Sequence, residues 1–456
     1  MMTLLALVSV HRGCVLAAFM FGLTRLMAGE DAPDLQPRPE PPALIIPSPE
    51  TGWPQWRGPR RDGICTETGL LQQWPEDGPP LLWHITGLGQ GYSAPVMADN
   101  RLYLTGDIQD KLEVFALDLR GNILWRATNG ASWKGPYPGS RASCTYYEKK
   151  LFHCNAHGRV ACLDPATGHE RWAVNVLDQF GGKNITWGIS ECLLAAEGRV
   201  FVQAGGTRAL MVALNADTGQ VIWQSEPLKL GPSTGQTFLR VAKPEGEIDN
   251  PSYTSPILVN LAGYKQIVSC SLRHAFGIDP DTGRLLWTYP LPSRYQVIAA
   301  TPNLIGNGLF FTAPDAGGGR LLRLQPRATG LAVEQAWTSP LDTCHGGLVV
   351  VNGRLYGSFY RDRKGWACVD PQNGALLYEW KDLAMGSVLY ADQRLYCLSQ
   401  EGEMALIEPT QNSFKIHGRF RLVPDRVHDA WTHPVIYQKR LYLRYHDRLN
   451  CYSVSP

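Results

Sequence analysis

The chain has 456 residues, 44% apolar and 18% charged, with 46 Gly, 14 Trp and a formal net charge of +2. That apolar content excludes a disordered chain, and the near-neutral charge excludes a global pull toward nucleic acid or an anionic membrane. So many Gly and Trp suit short strands and tight turns better than helices.

The first elements concern location. Val15–Leu26 is an apolar stretch, preceded by Arg12 and followed by the small residues Ala28 and Gly29. Residues 1–28 read as a signal peptide cut near Ala28, too short for a membrane span. Arg25 departs from that pattern, and an uncleaved anchor or a mis-assigned start codon are the alternatives. Cys14 follows "HRG", a poor context for lipidation. Cleavage would remove Arg12 and Arg25 and bring the formal charge to about 0. Residues 29–52 are rich in Pro and acid and read as an extended linker. From Trp53 the character changes: "WPQWRGPRRDGICTETGLLQQWP" holds Trp53, Trp56 and Trp74. Leaving such aromatic density in water is expensive, so 53–78 is expected to pack on the main body.

The remainder, 79–456, is periodic. Phrases such as "ALDLRGNILW", "CLDPATGHERW", "ALNADTGQVIW" and "GIDPDTGRLLW" recur. Their closing aromatics are Trp83, Trp125, Trp172, Trp223, Trp287, Trp337, Trp380 and, by register, Phe420. The mean step is about 48 residues, close to one four-stranded propeller blade. Within each step two apolar runs flank a short turn, as in "ECLLAAEGRVFVQAGG" (191–206), which marks an antiparallel hairpin. In the repeated phrase Asp164 and Thr167 flank a turn in which Gly168 can take positive φ. Trp172 then ends the outer strand with a flat ring suited to the gap between blades. The phrase reads as a blade-assembly device with no catalytic role.

Seven blades are complete between about residue 91 and 421, counting one per period. "AWTHPVIYQKRLYLRYHDRLNCYSV" (430–454) supplies three strands of an eighth. "PPLLWHITG" (79–87) supplies its missing outer strand, which removes exposed edges. The expected fold is an all-β, eight-bladed β-propeller closed by pairing an N-terminal strand with the C-terminal blade.

Ten cysteines follow the leader, with no CxxC pair, and most fall in predicted strands as small core residues. Cys154 and Cys162 could face each other across a hairpin. His153 and His157 in "HCNAH" would form a metal pair on a helix, but here they span a strand end and its turn. "PDAGGGR" (314–320) precedes a strand and is no phosphate loop. "RDRK" (361–364) reads as solvated surface.

These Asp-x-x-Thr-Gly-x-x-x-Trp repeats resemble those of the pyrroloquinoline-quinone-like (quinoprotein-dehydrogenase-like) β-propeller family. More narrowly, "WPQWRGPRRDG", "WGISECLL", "TPNLIGNGLFFT", "CHGGLVVVNGRLYG" and "HPVIYQKRLYLR" are similar to exported bacterial repeat proteins likened to the outer-membrane protein assembly lipoprotein. The resemblance runs from Trp53 to the end. It implies the fold more firmly than an activity. True quinone dehydrogenases hold calcium with Glu, Asn and sometimes Asp, use an Asp as base, and place a Trp under the quinone, often with a vicinal disulfide above it. This chain has no adjacent Cys pair.

In a propeller the inner strands line the axis and the loops at one end form the usual binding surface. Arg141, Trp187, Glu191, Tyr253, Thr301, His345 and His433 begin predicted inner strands and are the funnel candidates. Glu191 in "WGISEC" needs a partner, with Arg141 expected to ion-pair with it. His345 stands in "TCHGG", where relatives more often have two consecutive His, which leaves a paired-His metal site in doubt. No catalytic residue and no metal ligand is assigned. The expected function is that of an exported binding or scaffold module, periplasmic or at the cell surface. It would recognise a protein or glycan through its loops, including the Trp- and Tyr-bearing "NGASWKGPYPGSR" (129–141), without quinone. Peripheral membrane association, a monomeric state and no nucleic-acid partner complete the expectation. The alternative is a quinone- and calcium-dependent oxidoreductase of alcohols or sugars, with Glu191 as a calcium ligand. A hydrolase or lyase using the funnel is a third reading.

Overall fold

The computed structural model describes residues 41–47, 52–230, 246–315, 317–327 and 330–456. The signal-peptide assignment (1–28) and most of the linker assignment lie outside them. The described strands form eight sheets. Seven take four consecutive strands each, and the innermost of these are Val96–Ala98, Thr145–Tyr147, Leu194–Ala196, Ile257–Leu261, Asn303–Ile305, Leu348–Val351 and Gly386–Ala391. The eighth runs Val435–Tyr437, Arg440–Tyr445 and Arg448–Ser453. Its fourth strand is Leu81–Ile85, antiparallel to Arg448–Ser453, with Trp83 opposite Cys451 and Ile85 opposite Leu449. The protein is an all-β, eight-bladed propeller. Among the described residues helix is confined to Val176–Phe180, capped by Asn175 between blades 2 and 3.

Burial follows position in the blade. The second strands are almost wholly buried, as in Lys150–Cys154. The outer strands alternate and leave Ile123, Leu124 and Ile222 exposed. Each core cluster draws on facing sheets, because the hydrophobic face of one blade is covered by the next.

The repeated phrase shows its mechanism here. Asp164 accepts the N–H groups of Ala166 (2.9 Å) and Thr167 (3.1 Å), which closes the turn. Gly168 follows at φ +77°. The Trp125 ring of blade 1 lies so close that a Cβ at Gly168 would sit 2.6 Å from it. The same indole donates to the Pro165 carbonyl at 3.1 Å. The pairing recurs around the ring: Trp83 lies on Gly121, Trp172 on Gly219, Trp223 on Gly283 and Trp337 on Gly374. Glycine is thus required twice, for the left-handed turn and for the neighbouring indole. Two blades depart from the pattern. Trp287 donates to Gln266 of its own blade at 2.6 Å, because the long hairpin Gly318–Arg327 and Gly330–Ser339 of blade 5 lacks the phrase. Trp380 packs near Phe414, with ring centroids 6.3 Å apart.

Gly168→Ala is therefore expected to destabilise the protein by about 2–3 kcal/mol, from left-handed strain plus overpacking. Denaturant unfolding checks this, and an unchanged midpoint would contradict the double role.

The ten cysteines of the described residues are free and buried. Cys154 stands opposite Val160, and Cys162 opposite Phe152. The hairpin register thus places the two cysteines diagonally, out of disulfide reach, and both join the core between blades 2 and 3.

Candidate functional site

Eight inner strands leave an axial channel whose backbone and side-chain polar groups need partners. The chain fills it with its own N-terminal segment. Trp53 exchanges backbone hydrogen bonds with Met97 of blade 1, and Pro54 accepts from Tyr146 of blade 2. Arg61 donates to the carbonyls of Cys192 (2.6 Å) and Leu193 (3.0 Å), leading into blade 3. Ala43–Leu44 pairs with Asn260 and Val259 of blade 4. The Trp56 indole donates to Thr301 at 2.9 Å, before blade 5. Arg57 donates to the Leu348 carbonyl of blade 6. Ile64–Cys65 runs parallel to Tyr390–Ala391 of blade 7, and the Cys65 thiol lies 3.8 Å from the Ile436 carbonyl of blade 8. The described residues 43–47 and 52–65 therefore touch the inner region of every blade. The plug turns sharply at Arg57 and Arg61, which take φ of +61° and +58°, a left-handed conformation that their buried hydrogen bonds offset.

Above the plug opens a cavity of about 400 Å³. Trp56 of the plug lies at its base, and three Trp and five Tyr side chains line it in all. Tyr92, Tyr137, Trp187, Tyr253 and Trp431 come from the loops that lead into inner strands. Asp315, Tyr360 and Arg361 come from the hairpins joining second and third strands of blades 5 and 6. Trp431 anchors one wall, with its ring 5.1 Å from Tyr92, 5.0 Å from Tyr137 and 4.6 Å from His345.

Of the seven funnel candidates, Arg141, Trp187, Tyr253 and His345 line this cavity. Thr301 and His433 lie behind Trp56: Thr301 accepts its indole N–H, and the His433 ring lies 4.4 Å from it. His433 Nε2 pairs with the His345 carbonyl at 2.9 Å. Burial pulls His345 down to about 4 and His433 to about 3, so both are neutral at pH 7. Glu191 is buried beside the plug. Its Oε2 accepts the Gln203 N–H at 2.9 Å, and its Oε1 has no hydrogen-bond partner among the described residues. Burial pushes it up to about 8, against the pull of Arg61.

The expected Glu191–Arg141 ion pair does not form. Arg141 is taken by carbonyls, donating to Gly139 (2.8 Å), Pro136 (2.8 Å), Tyr137 (2.9 Å) and Trp187. The loop 129–141 folds back on its own arginine, and Arg61 from the plug becomes the cation beside Glu191. Nor is "RDRK" plain surface, since Arg361 reaches the cavity rim over the Tyr360 ring at 5.1 Å. His153 and His157 diverge: His153 Nδ1 meets Asn129 at 2.8 Å and His157 Nε2 meets the Ser132 carbonyl at 3.0 Å. Sequence reasoning missed Trp56, Asp315, Tyr360 and Trp431. The available signal was the blade register, which puts second-to-third-strand hairpins and inner-strand leads at the same end.

The resemblance to quinone dehydrogenases implies a calcium-held quinone, and the donor set does not fit it. Among the described residues no three His, Cys, Asp or Glu side chains are grouped to hold a metal ion. Glu191 does not line the cavity, and Asp315 is its one lining carboxylate among the described residues.

No curated protein matches this chain. Among solved structures, BamB from Moraxella catarrhalis is similar with a TM-score of 0.56 at 15% identity, covering 82% of this chain and 97% of that one. Quinohemoprotein alcohol dehydrogenase from Comamonas testosteroni has a TM-score of 0.60 at 14% identity, covering 89% and 80%. The corresponding enzyme ADHIIG from Pseudomonas putida HK5 has a TM-score of 0.56 at 13% identity, covering 89% and 80%. At such identities these structures support the fold alone. A family model described as outer membrane protein assembly factor BamB matches residues 64–188 and 110–377, more than half of the chain. With the eight blades and their Trp-on-Gly contacts, that match makes the chain a member of the pyrroloquinoline-quinone-like propeller repeat family.

Proposed function

We propose that this protein is an exported binding propeller that takes a protein or glycan ligand in the aromatic funnel, without quinone and without chemistry of its own. The observation that carries the reading is the cavity itself: aromatic walls, a Trp base and few polar groups, held on a plugged ring. Such a concave aromatic surface gains affinity by burying rings with little loss of side-chain freedom. Cys344 and His345 both line it, but among the described residues no hydrogen bond joins a nucleophile to a base there. The apolar leader and Arg12 support export. The family's description as an assembly factor adds a protein partner at a membrane surface to the candidates. No helix among the described residues is long and apolar enough to cross a membrane.

Trp431→Ala tests the site. Removing a central ring is expected to weaken binding by about 2 kcal/mol or more, roughly thirtyfold, with the unfolding midpoint little changed. Intrinsic Trp fluorescence and calorimetric titration against glycan and peptide libraries measure it. The second reading, a quinone-dependent oxidoreductase, has the Trp56 base in its favour. Dye-linked oxidation of alcohols or aldoses by protein mixed with quinone and calcium would establish it and overturn the first.

A further inference from the structure

The funnel reading leaves the ligand's chemistry open, and Asp315 narrows it. This residue lies at the hairpin between Gly308–Ala313 and Gly318–Arg327 of blade 5. It takes φ +57°, where only Gly, Asn and Asp sit readily. Its side chain lines the cavity, the residue is 6% exposed, and Arg361 is the foremost cation acting on it. Burial raises its pKa, and Arg361 pulls it back. A left-handed backbone is unfavourable, and a carboxylate drawn partly out of water gains from donors. A ligand that donates to Asp315 from the cavity would supply those donors.

The complement of this site can be read from its groups. An ionised carboxylate only accepts hydrogen bonds, and a guanidinium only donates them. Asp315 and Arg361 both stand at the cavity, yet they form no salt bridge with each other within 4.0 Å. A ligand that engages both must therefore donate to Asp315 and accept from Arg361. Around them are tilted aromatic faces, whose negative quadrupoles attract weakly polarised C–H groups. A hydroxyl both donates and accepts, and a sugar ring presents C–H faces edged with hydroxyls. A planar aromatic anion would leave Asp315 without donors, and a cation would meet Arg141 and Arg361. We infer that the ligand is a saccharide, with a sugar ring against the funnel aromatics and neighbouring hydroxyls donating to Asp315 while Arg361 donates to ligand oxygens. This rests on the funnel being a binding site. The cavity, about 400 Å³, falls within the range of small-ligand sites.

The test uses the full chain on a glycan array, followed by calorimetric titration with the highest-ranking oligosaccharide and, in parallel, a tripeptide library. Binding of an oligosaccharide with Trp fluorescence quenching is expected. Asp315→Asn keeps the shape and accepts the left-handed backbone, so it should fold as well as the parent and bind at least about tenfold more weakly. Arg361→Ala should weaken binding by a smaller factor. Two outcomes overturn the inference: no saccharide bound at millimolar concentration, or saccharide binding that Asp315→Asn leaves intact. Peptide binding in the first case would leave the funnel reading standing. If neither class binds and the Trp fluorescence never responds, the funnel reading fails as well.

Discussion

Arg61→Met is expected to lower stability by about 3 kcal/mol, since each buried acceptor left without its donor costs roughly 1–3 kcal/mol and the relief of a buried charge offsets part of the sum. The guanidinium is 2% exposed. It holds the carbonyls of Cys192 and Leu193 and the Gln55 side chain, at 2.6, 3.0 and 3.0 Å. Burial lowers its pKa to about 10, while Cys192 and Glu191 raise it, so it remains charged at pH 7. Methionine keeps most of the volume and donates nothing, so three acceptors lose their partner inside the channel. The loss should centre on the plug. Limited proteolysis within 53–65 should become fast in the variant, and denaturant unfolding should shift to lower concentration. A variant with the parent's midpoint and protease resistance would show that the plug is held by Trp53 and the Ile64–Cys65 pairing without help from Arg61.

Glu191→Gln is expected to stabilise the protein at alkaline pH and to do little at acid pH. The carboxyl is raised by burial to about 8, from 4.5. In the folded state it keeps its proton, while in the unfolded chain it ionises. Its favourable contribution is therefore fully present below about 4.5 and is lost as pH rises toward about 8. Over pH 5 to 8 the parent should lose roughly 3 kcal/mol on this account. Glutamine abolishes that slope and can still accept the Gln203 N–H. Unfolding free energies at pH 5, 6.5 and 8 for both proteins measure the difference. Parallel curves would mean that Glu191 is ionised in the fold, paired with Arg61 through a contact stronger than the geometry shows. In the Arg61→Met background Glu191 should be raised further, because its one attracting cation is gone.

The ring was legible in the sequence because its signals are local. The turn needs Asp164 and Gly168 at fixed spacing, and Trp172 follows four residues after the glycine, so each repeat is readable by itself. Even the outer strand of the last blade could be placed within 79–87 by counting strands, and the structure has it at Leu81–Ile85. The candidate site was legible only in part. Arg141, Trp187, Tyr253 and His345 precede inner strands and were found by register. Asp315 and Arg361 sit on hairpins that vary from blade to blade, and Trp56 lies in the non-repeating extension, so periodicity passes over all three.

The partner of Glu191 shows the same limit. Sequence proximity pointed to Arg141, which begins the adjacent inner strand. The fold gives that arginine to four carbonyls and brings Arg61 from 130 residues upstream. Burial inside the channel then decides that Glu191 holds a proton at neutral pH, a consequence of desolvation that no spacing encodes. The sequence by itself determined the blade and its count, because turn and closing Trp lie a few positions apart, whereas the indole-on-glycine contact, as of Trp125 on Gly168, joins one blade to the next and was decided by the ring. Tertiary structure alone decided that the channel is plugged and that Trp56 forms the base of the funnel. It also decided that Asp315 and Arg361 both line its rim, since each of these depends on where the closed ring brings distant loops together.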